Sequence, residues 1–187
     1  MIKAALSHVQ FETIHPFLDG NGRVGRLLIP LLLCNEGILS EPLLYMSLYF
    51  KQNRSRYYDL LTQVRLEGDR EEWLLFFIEG IQQTAVGALT TAQRLMKIDE
   101  EDKKRIQGLG RIAVSALRLH RVFQQRPLCT IRFLAKETSL SQPSVTAALR
   151  SLEKAKVVKE ITGKKRNRIF VYDRYLEIIN QATGINS

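Results

Sequence analysis

The sequence predicts a mainly α-helical chain of two modules, a helix bundle over residues 1–100 and a winged helix-turn-helix with its linker helix over residues 101–187. Three observations predict it. Apolar residues in the first half recur at helical spacing, the second half closes with helix, turn, helix and two alternating strands, and the charge divides between the halves. The net charge of +9 splits into 10 Lys/Arg against 12 Asp/Glu in residues 1–100 and 18 against 7 in residues 101–187, which is −2 and +11. A basic excess confined to one half points to an anionic partner for that half, the competing explanation being a solvated basic face.

In the first module, Ile2, Ala5, Leu6, Val9 and Ile14 mark a helix that Pro16 stops near His15. A glycine-punctuated loop over residues 19–22 follows. Residues 23–34 then form a nearly all-round apolar helix, kinked at Pro30, which is expected to be the buried centre of the bundle. Residues 53–66 and 71–95 supply two further helices separated by Gly68 and Asp69, and Trp73, Phe76, Phe77 and Ile81 give the second a broad apolar face. Helix propensity continues from Lys97 to Gln125, so the module boundary is placed near residue 100.

The second module changes period after Pro127. Residues 130–137 form a short helix, residues 139–141 a turn, and residues 142–156 a helix with Pro143 at an early position and Val145, Ala148, Leu149 and Leu152 as its buried face. Residues 157–162 and 169–172 alternate as two strands around a basic turn, a two-stranded wing.

Composition excludes several classes. With 45% hydrophobic residues and 5 Pro in 187, the chain is neither collagenous nor disordered. Its 2 cysteines, Cys34 and Cys129, form no spaced framework, which favours a reducing compartment, and cytoplasm is the expected location. The apolar run over residues 27–34 is broken by Pro30 and is too short for a bilayer span of about 20 residues, so no membrane partner is expected. The first residues show no basic leader followed by an apolar core.

The chemistry concentrates in His15-Pro16-Phe17-Leu18-Asp19-Gly20-Asn21-Gly22-Arg23-Val24-Gly25-Arg26. Gly20 and Gly22 let successive N–H groups line one concavity, to which the following helix adds its positive end. Arg23 and Arg26 lie on one side of that helix's first turn, where cations are unfavourable unless an anion is present; a polyphosphate resolves the conflict. Asp19 beside phosphate calls for a divalent cation, and Mg²⁺ held by one carboxylate plus phosphate oxygens is the common arrangement. Asp19 as a plain helix cap is the competing role. His15 is the titratable group suited to take a proton from an attacking hydroxyl. His8 and Glu12, four apart, invite a zinc site with His15, a reading disfavoured because the third ligand lies across a proline turn.

The twelve-residue segment, preceded by HVQFETI, resembles the HPFxDGNGRxxR signature of the Fic family at every defined position. The resemblance implies a Fic-type helix bundle and transfer of AMP from ATP to a Ser, Thr or Tyr hydroxyl of a protein target. It implies His15 as general base, Asp19 as Mg²⁺ ligand, a phosphate site of Gly20, Asn21, Gly22, Arg23, Gly25 and Arg26, and Phe17 as a buried anchor. Tyr57 and Tyr58 match positions close to the nucleotide. Family members carry further helices and a flap hairpin before the helix that opens this sequence, so the bundle is expected to lack its N-terminal part and to self-associate through the apolar face left exposed. The resemblance covers roughly residues 1–95, and the second module is similar to the C-terminal extension of one bacterial Fic subfamily. UMP or another phosphate-containing group as the transferred species is a variant of this reading.

A second reading is of another class. Lys164, Lys165, Arg166 and Arg168 of the wing, with Gln142, Ser144, Thr146 and Arg150 on the outer face of the preceding helix, suit DNA, the wing contacting phosphates and the helix base edges. Winged helices also serve as protein-interaction modules. On this reading the chain is a DNA-binding or protein-interaction regulator with a weakly active or inactive Fic module.

Overall fold

The computed structural model describes residues 1–164 and 166–184. The chain is mainly helical and divides into two compact units, Met1–Thr90 and Thr91–Ser187, each with its own buried core.

Unit 1 contains α1 (Ile2–Ile14), α2 (Asn21–Asn35), α3 (Ser47–Gln52), α4 (Arg54–Glu67) and the first part of α5 (Glu71–Gln107). Pro16 disfavours a right-handed helical residue before it, and His15 answers by taking a left-handed conformation, φ 49°, while its N–H donates to the Phe11 carbonyl at 3.0 Å. Gly68, φ 74°, ends α4 in the same way. The core is aromatic: Trp73, Phe76 and Phe77 are fully buried, and the Trp73 indole N–H donates to the Ala5 carbonyl at 3.0 Å, fixing α5 to α1.

Three expectations change here. The first turn of α2 opens at Asn21 rather than Arg23, which brings Gly22 into the helix. Nor is α2 a buried centre. Asn21, Gly25, Ile29, Pro30 and Leu33 face inward, while Val24, Leu27 and Leu31 form an exposed stripe on the other side. Apolar character all round could not distinguish the two faces. The short α3 lies between residues 34 and 53, where the sequence pattern assigns no helix.

Unit 2 contains the end of α5, α6 (Ala113–Gln125), β1 (Leu128–Thr130), α7 (Ile131–Thr138), α8 (Gln142–Lys154), β2 (Lys159–Glu160), β3 (Ile169–Val171) and α9 (Asp173–Thr183). Residues 97–125 are not one helix: α5 ends at Gln107, and Gly110, φ 68°, opens a 3₁₀ turn before α6. The Thr130 and Ser141 side chains cap α7 and α8, each accepting an N–H three residues on at 3.3 Å. The expected two-stranded hairpin belongs to a three-stranded antiparallel sheet in the order β1-β3-β2, with Cys129 and Glu160 both paired to Phe170. At three residues between a proline and a helix, β1 is too short to show a period.

Asp102 is fully buried in unit 2 and accepts from three side chains: the Tyr172 hydroxyl at 2.7 Å, Arg174 at 2.9 Å and Arg105 at 3.2 Å. These bonds tie α5 to α9 and to the residue that follows β3. Since Tyr172 donates to Asp102, the His120 Nε2–H donates to the Tyr172 oxygen, 3.3 Å away. Burial holds the His120 pKa below its ordinary value.

Two glycines of α5 give opposite predictions for one substitution. A Cβ on Gly80 would stand 2.5 Å from Tyr49 Cδ1 and 2.8 Å from Met46 Cε, whereas one on Gly87 would meet nothing within 4 Å. Gly80→Ala should cost unit 1 about 1–3 kcal/mol. Gly87→Ala should stabilise it by about 0.5–1 kcal/mol. Urea unfolding followed through Trp73, the chain's 1 tryptophan, reads both.

Candidate functional site

The site forms where the chain leaves α1 and enters α2. The Asn21 side chain closes the intervening loop: its Oδ1 accepts from the Phe17 N–H at 2.9 Å and its Nδ2 donates to the Phe17 carbonyl at 2.5 Å. At 2% exposure, Asn21 is committed to this staple. Gly20 is the N-cap of α2 at φ 83°, a conformation a side chain would strain. It brings no side-chain cap, so the N–H groups of Asn21 and Gly22 at the helix's positive end have no capping acceptor.

Both arginines fold back toward that end. A Cβ on Gly22 would lie 3.0 Å from Arg26 Nη1, and one on Gly20 3.4 Å from Arg23 Nη2, so each guanidinium runs beside the backbone of a glycine. No acidic residue occupies the first turn. Two cations, a helix N-terminus and uncapped N–H groups together favour an anion with several oxygens.

Asp19 stands open to solvent, its side chain 94% exposed, with Oδ1 accepting from the Gly20 N–H at 2.6 Å and Oδ2 3.5 Å from Arg23. Among the described residues no three His, Cys, Asp or Glu side chains converge on a common point. A lone open carboxylate beside a phosphate-type site still fits Mg²⁺, which takes one or two carboxylates and completes its shell with phosphate oxygens and water. His15 is exposed at the end of α1.

Behind this rim lies a buried cluster in which His8 is central. Its Nδ1 is 2.8 Å from the Gly25 carbonyl oxygen and its Nε2 2.9 Å from the Tyr57 hydroxyl. A carbonyl only accepts, so Nδ1 carries the proton and Nε2 accepts from Tyr57. The ring stacks on Phe50 at 5.6 Å and on Trp73 at 5.9 Å. Burial, reinforced by the nearby Arg26 charge against the opposing pull of the Gly25 bond, drops the His8 pKa to about 4. Burial also raises the Tyr57 phenol above its ordinary range. Gly25 makes this approach possible, because a Cβ there would sit 2.5 Å from Glu12 Oε1, 3.1 Å from Phe11 Cδ1 and 3.3 Å from His8 Cε1. Glu12 Oε1 is buried without a hydrogen-bond partner, and burial raises its carboxyl pKa while Arg26 and His15 pull it back down.

The structure therefore gathers Asp19, Gly20, Gly22, Arg23 and Arg26 at one helix end and sets Asn21 and Gly25 beneath it as a staple and a packing contact. Tyr57 is buried on His8, while Tyr58 is 53% exposed with its ring at an edge to Tyr57. Phe17 is not a buried anchor: it is 52% exposed, its ring 6.2 Å from Phe11, and it contributes its backbone to the Asn21 staple instead. The four-residue spacing of His8 and Glu12 was the visible sign of the inner cluster; its meaning is packing against Gly25, and both nitrogens of His8 are spent on protein partners.

In unit 2, Gln142 and Arg150 are exposed on α8. Ser144 and Thr146 use their hydroxyls locally, Ser144 with Ser141 at 2.8 Å and Thr146 donating to the Gln142 carbonyl at 2.8 Å. Lys164 and Arg166 are exposed, and the Arg168 guanidinium lies 5.4 Å over the Phe170 ring. Lys165 lies outside the described residues. Glu160 anchors this turn by accepting from the Thr162 hydroxyl, the Thr162 N–H at 2.8 Å and the Gly163 N–H at 3.1 Å, and these bonds, the hydroxyl's foremost, lower its pKa. No described helix is long and apolar enough to cross a membrane.

Residues 1–33 match the model of the Fic/DOC family. The protein adenylyltransferase Fic of Aedes aegypti is 41% identical over 81 residues, 43% of this chain and 15% of that protein, and its Culex quinquefasciatus namesake gives the same figures. That of Drosophila erecta is 40% identical over the same length. The match thus spans about 15% of the length of these curated relatives.

The inner cluster sets a pH dependence. In the unfolded chain His8 titrates near 6.5, in the fold at about 4. Between these values the unfolded state binds the extra proton, so stability is full above pH 6.5 and falls as pH drops toward 4, by up to about 3 kcal/mol. The raised Glu12 acts in the opposite sense at the acid end. Urea unfolding followed by Trp73 fluorescence should lose more stability between pH 6.5 and 4.5 in the wild type than in His8→Asn; equal losses would contradict this origin.

Proposed function

We propose that unit 1 is a Fic-type nucleotidyltransferase module that moves AMP from ATP to a Ser, Thr or Tyr hydroxyl of a protein target. The observation that carries this is one segment, residues 15–26, whose anion-seeking helix end lies within the stretch matching the Fic/DOC family. The relatives' name, protein adenylyltransferase, supports the reaction class. In the reaction the acceptor oxygen bonds to the α-phosphorus and the bond from that phosphorus to the bridging oxygen of the β-phosphate breaks, so that pyrophosphate leaves with the bonding pair. His15 accepts the hydroxyl proton. Gly20, Gly22, Arg23 and Arg26 bind the phosphates and offset their developing charge, with Asn21 and Gly25 holding the frame. Of the two tyrosines assigned to the nucleotide side, exposed Tyr58 can reach the ligand, while buried Tyr57 stands behind it on His8. Asp19 would hold Mg²⁺, which supplies charge neutralisation on the phosphates when bound. A cytoplasmic location suits a chain whose two cysteines are both unpaired thiols. The exposed stripe of Val24, Leu27 and Leu31 supports self-association.

We further propose that unit 2 is a winged helix-turn-helix that binds DNA, with α7 and α8 as the helix pair and the β2–β3 turn as the wing. The capped, exposed start of α8, the turn fixed by Glu160 and the +11 charge of residues 101–187 support it. Gln142 and Arg150 are its base-edge candidates, Ser144 and Thr146 its groove-facing small residues, and Lys164, Lys165, Arg166 and Arg168 its phosphate contacts.

His15→Ala should lower transfer from radiolabelled ATP by about 10²–10⁴ and leave ATP affinity within a few-fold. Arg26→Ala should weaken ATP more than AMP in calorimetry, since that arginine is assigned to the distal phosphates. A His15→Ala variant that transfers as fast as wild type would show that His15 is not the base, and a wild type that transfers nothing would leave the regulator reading in place. For unit 2, neutralising Lys164, Arg166 and Arg168 should reduce the slope of log affinity for DNA against log salt by roughly two to three. A flat salt response in the wild type would instead favour a protein-interaction module.

A further inference from the structure

We propose that His8 is a positioning residue of the nucleotide site. Its Nδ1–H holds the Gly25 carbonyl, and with it the Gly25–Arg26 peptide from which the Arg26 side chain springs, while the Tyr57 hydroxyl, donating to Nε2, holds the ring from its other side. This inference rests on the nucleotide-binding reading of the α2 N-terminus.

The geometry separates His8 from an ordinary core residue. It is fully buried, and its two ring nitrogens bond different elements, Gly25 of α2 and Tyr57 of α4, from a position on α1. Stacking on Phe50 and Trp73 restricts rotation of the ring, so the Nδ1–H vector is fixed as well as satisfied. The other tautomer would set a bare nitrogen against the Gly25 oxygen and cost that bond, since a carbonyl, unlike the Tyr57 hydroxyl, cannot switch from acceptor to donor.

The bond falls where α2 needs support. Pro30 brings no N–H, so the carbonyl four residues earlier, that of Arg26, lacks its i+4 donor. The neighbouring carbonyl, Gly25, is the one His8 grips from outside the helix. Arg26 thus stands between a peptide held from α1 on its N-terminal side and a carbonyl without its i+4 donor on its C-terminal side. Neutral His8 also adds no charge beside Arg26, in keeping with its pKa of about 4.

Two substitutions separate the two bonds. Asn places an amide N–H near the Nδ1 position and keeps the donation to Gly25; Gln reaches the Nε2 position and keeps only the contact with Tyr57. The full chain is measured as wild type, His8→Asn, His8→Gln and Tyr57→Phe, by hydrogen exchange of residues 21–29 and by calorimetry with Mg²⁺-ATP and with AMP. His8→Asn should keep slow exchange in that segment and ATP affinity within about twofold of wild type. His8→Gln should speed exchange there and weaken ATP about tenfold while AMP changes little, the size typical of losing a supporting hydrogen bond behind a binding group. Tyr57→Phe, the mildest change, should shift exchange and ATP affinity in the direction of His8→Gln, and it decides the matter if His8→Gln does not fold. Equal behaviour of His8→Asn and His8→Gln, or a Tyr57→Phe variant indistinguishable from wild type, would overturn the inference. If wild type binds no ATP but the exchange contrast between the variants holds, the nucleotide reading fails and the His8 grip on α2 stands.

Discussion

Unit 1 depends on how closely α1 and α2 approach at Gly25. Any side chain there would collide with Glu12, Phe11 and His8 at once, and without that approach the His8 bond to the Gly25 carbonyl could not form. Trp73 reinforces the arrangement from α5 by donating to Ala5, and its ring is one of the two that His8 stacks upon. The rim of exposed Asp19 and Arg23 and half-buried Arg26 is therefore built on an interior that is aromatic and tightly bonded. Flexible charged side chains are presented from a backbone that has little freedom, which is what positioning a polyphosphate requires.

The rim and the interior divide the labour of the motif. Asn21 and Gly25 act on the protein itself, one stapling the loop through the Phe17 backbone, the other admitting α1. Gly20 and Gly22 leave room along which the two arginines lie back toward the helix end. On the proposed reading, a signature of twelve residues is partly a binding surface and partly the scaffold that aims it, and the two parts are expected to fail differently. Loss of a scaffold residue changes stability and geometry together, whereas loss of a rim residue changes affinity alone.

Much of this was legible in the sequence, and the rest was hidden for physical reasons. Pro16, Gly68 and Pro143 announced helix ends and starts, and the glycines of the 15–26 segment marked the helix end toward which Arg23 and Arg26 fold. The orientation of α2 was hidden, because Val24, Leu27 and Leu31 are as apolar as the residues on its buried side and only the position of α1 separates them. The partnership of His8 with Gly25 and Tyr57 spans 17 and 49 residues of sequence, and no local pattern encodes it. Phe17 was expected inside because the motif resemblance implies a buried anchor there, yet what the loop uses is its backbone. In unit 2, the helix pair was written in caps and period, while β1 was too short to register and Asp102 reaches Tyr172 across 70 residues.

The central claim is that the α2 N-terminus presents the α-phosphate of ATP to an acceptor hydroxyl. The most direct measurement incubates the full chain and a mixture of candidate protein targets with Mg²⁺ and ATP labelled with ³²P at either the α or the γ position, then counts label retained on protein. AMP transfer predicts that α-label is retained and γ-label is released as pyrophosphate. Retention of γ-label would make the reaction a phosphoryl transfer and contradict the account, and retention of neither would leave unit 1 without the activity assigned to it.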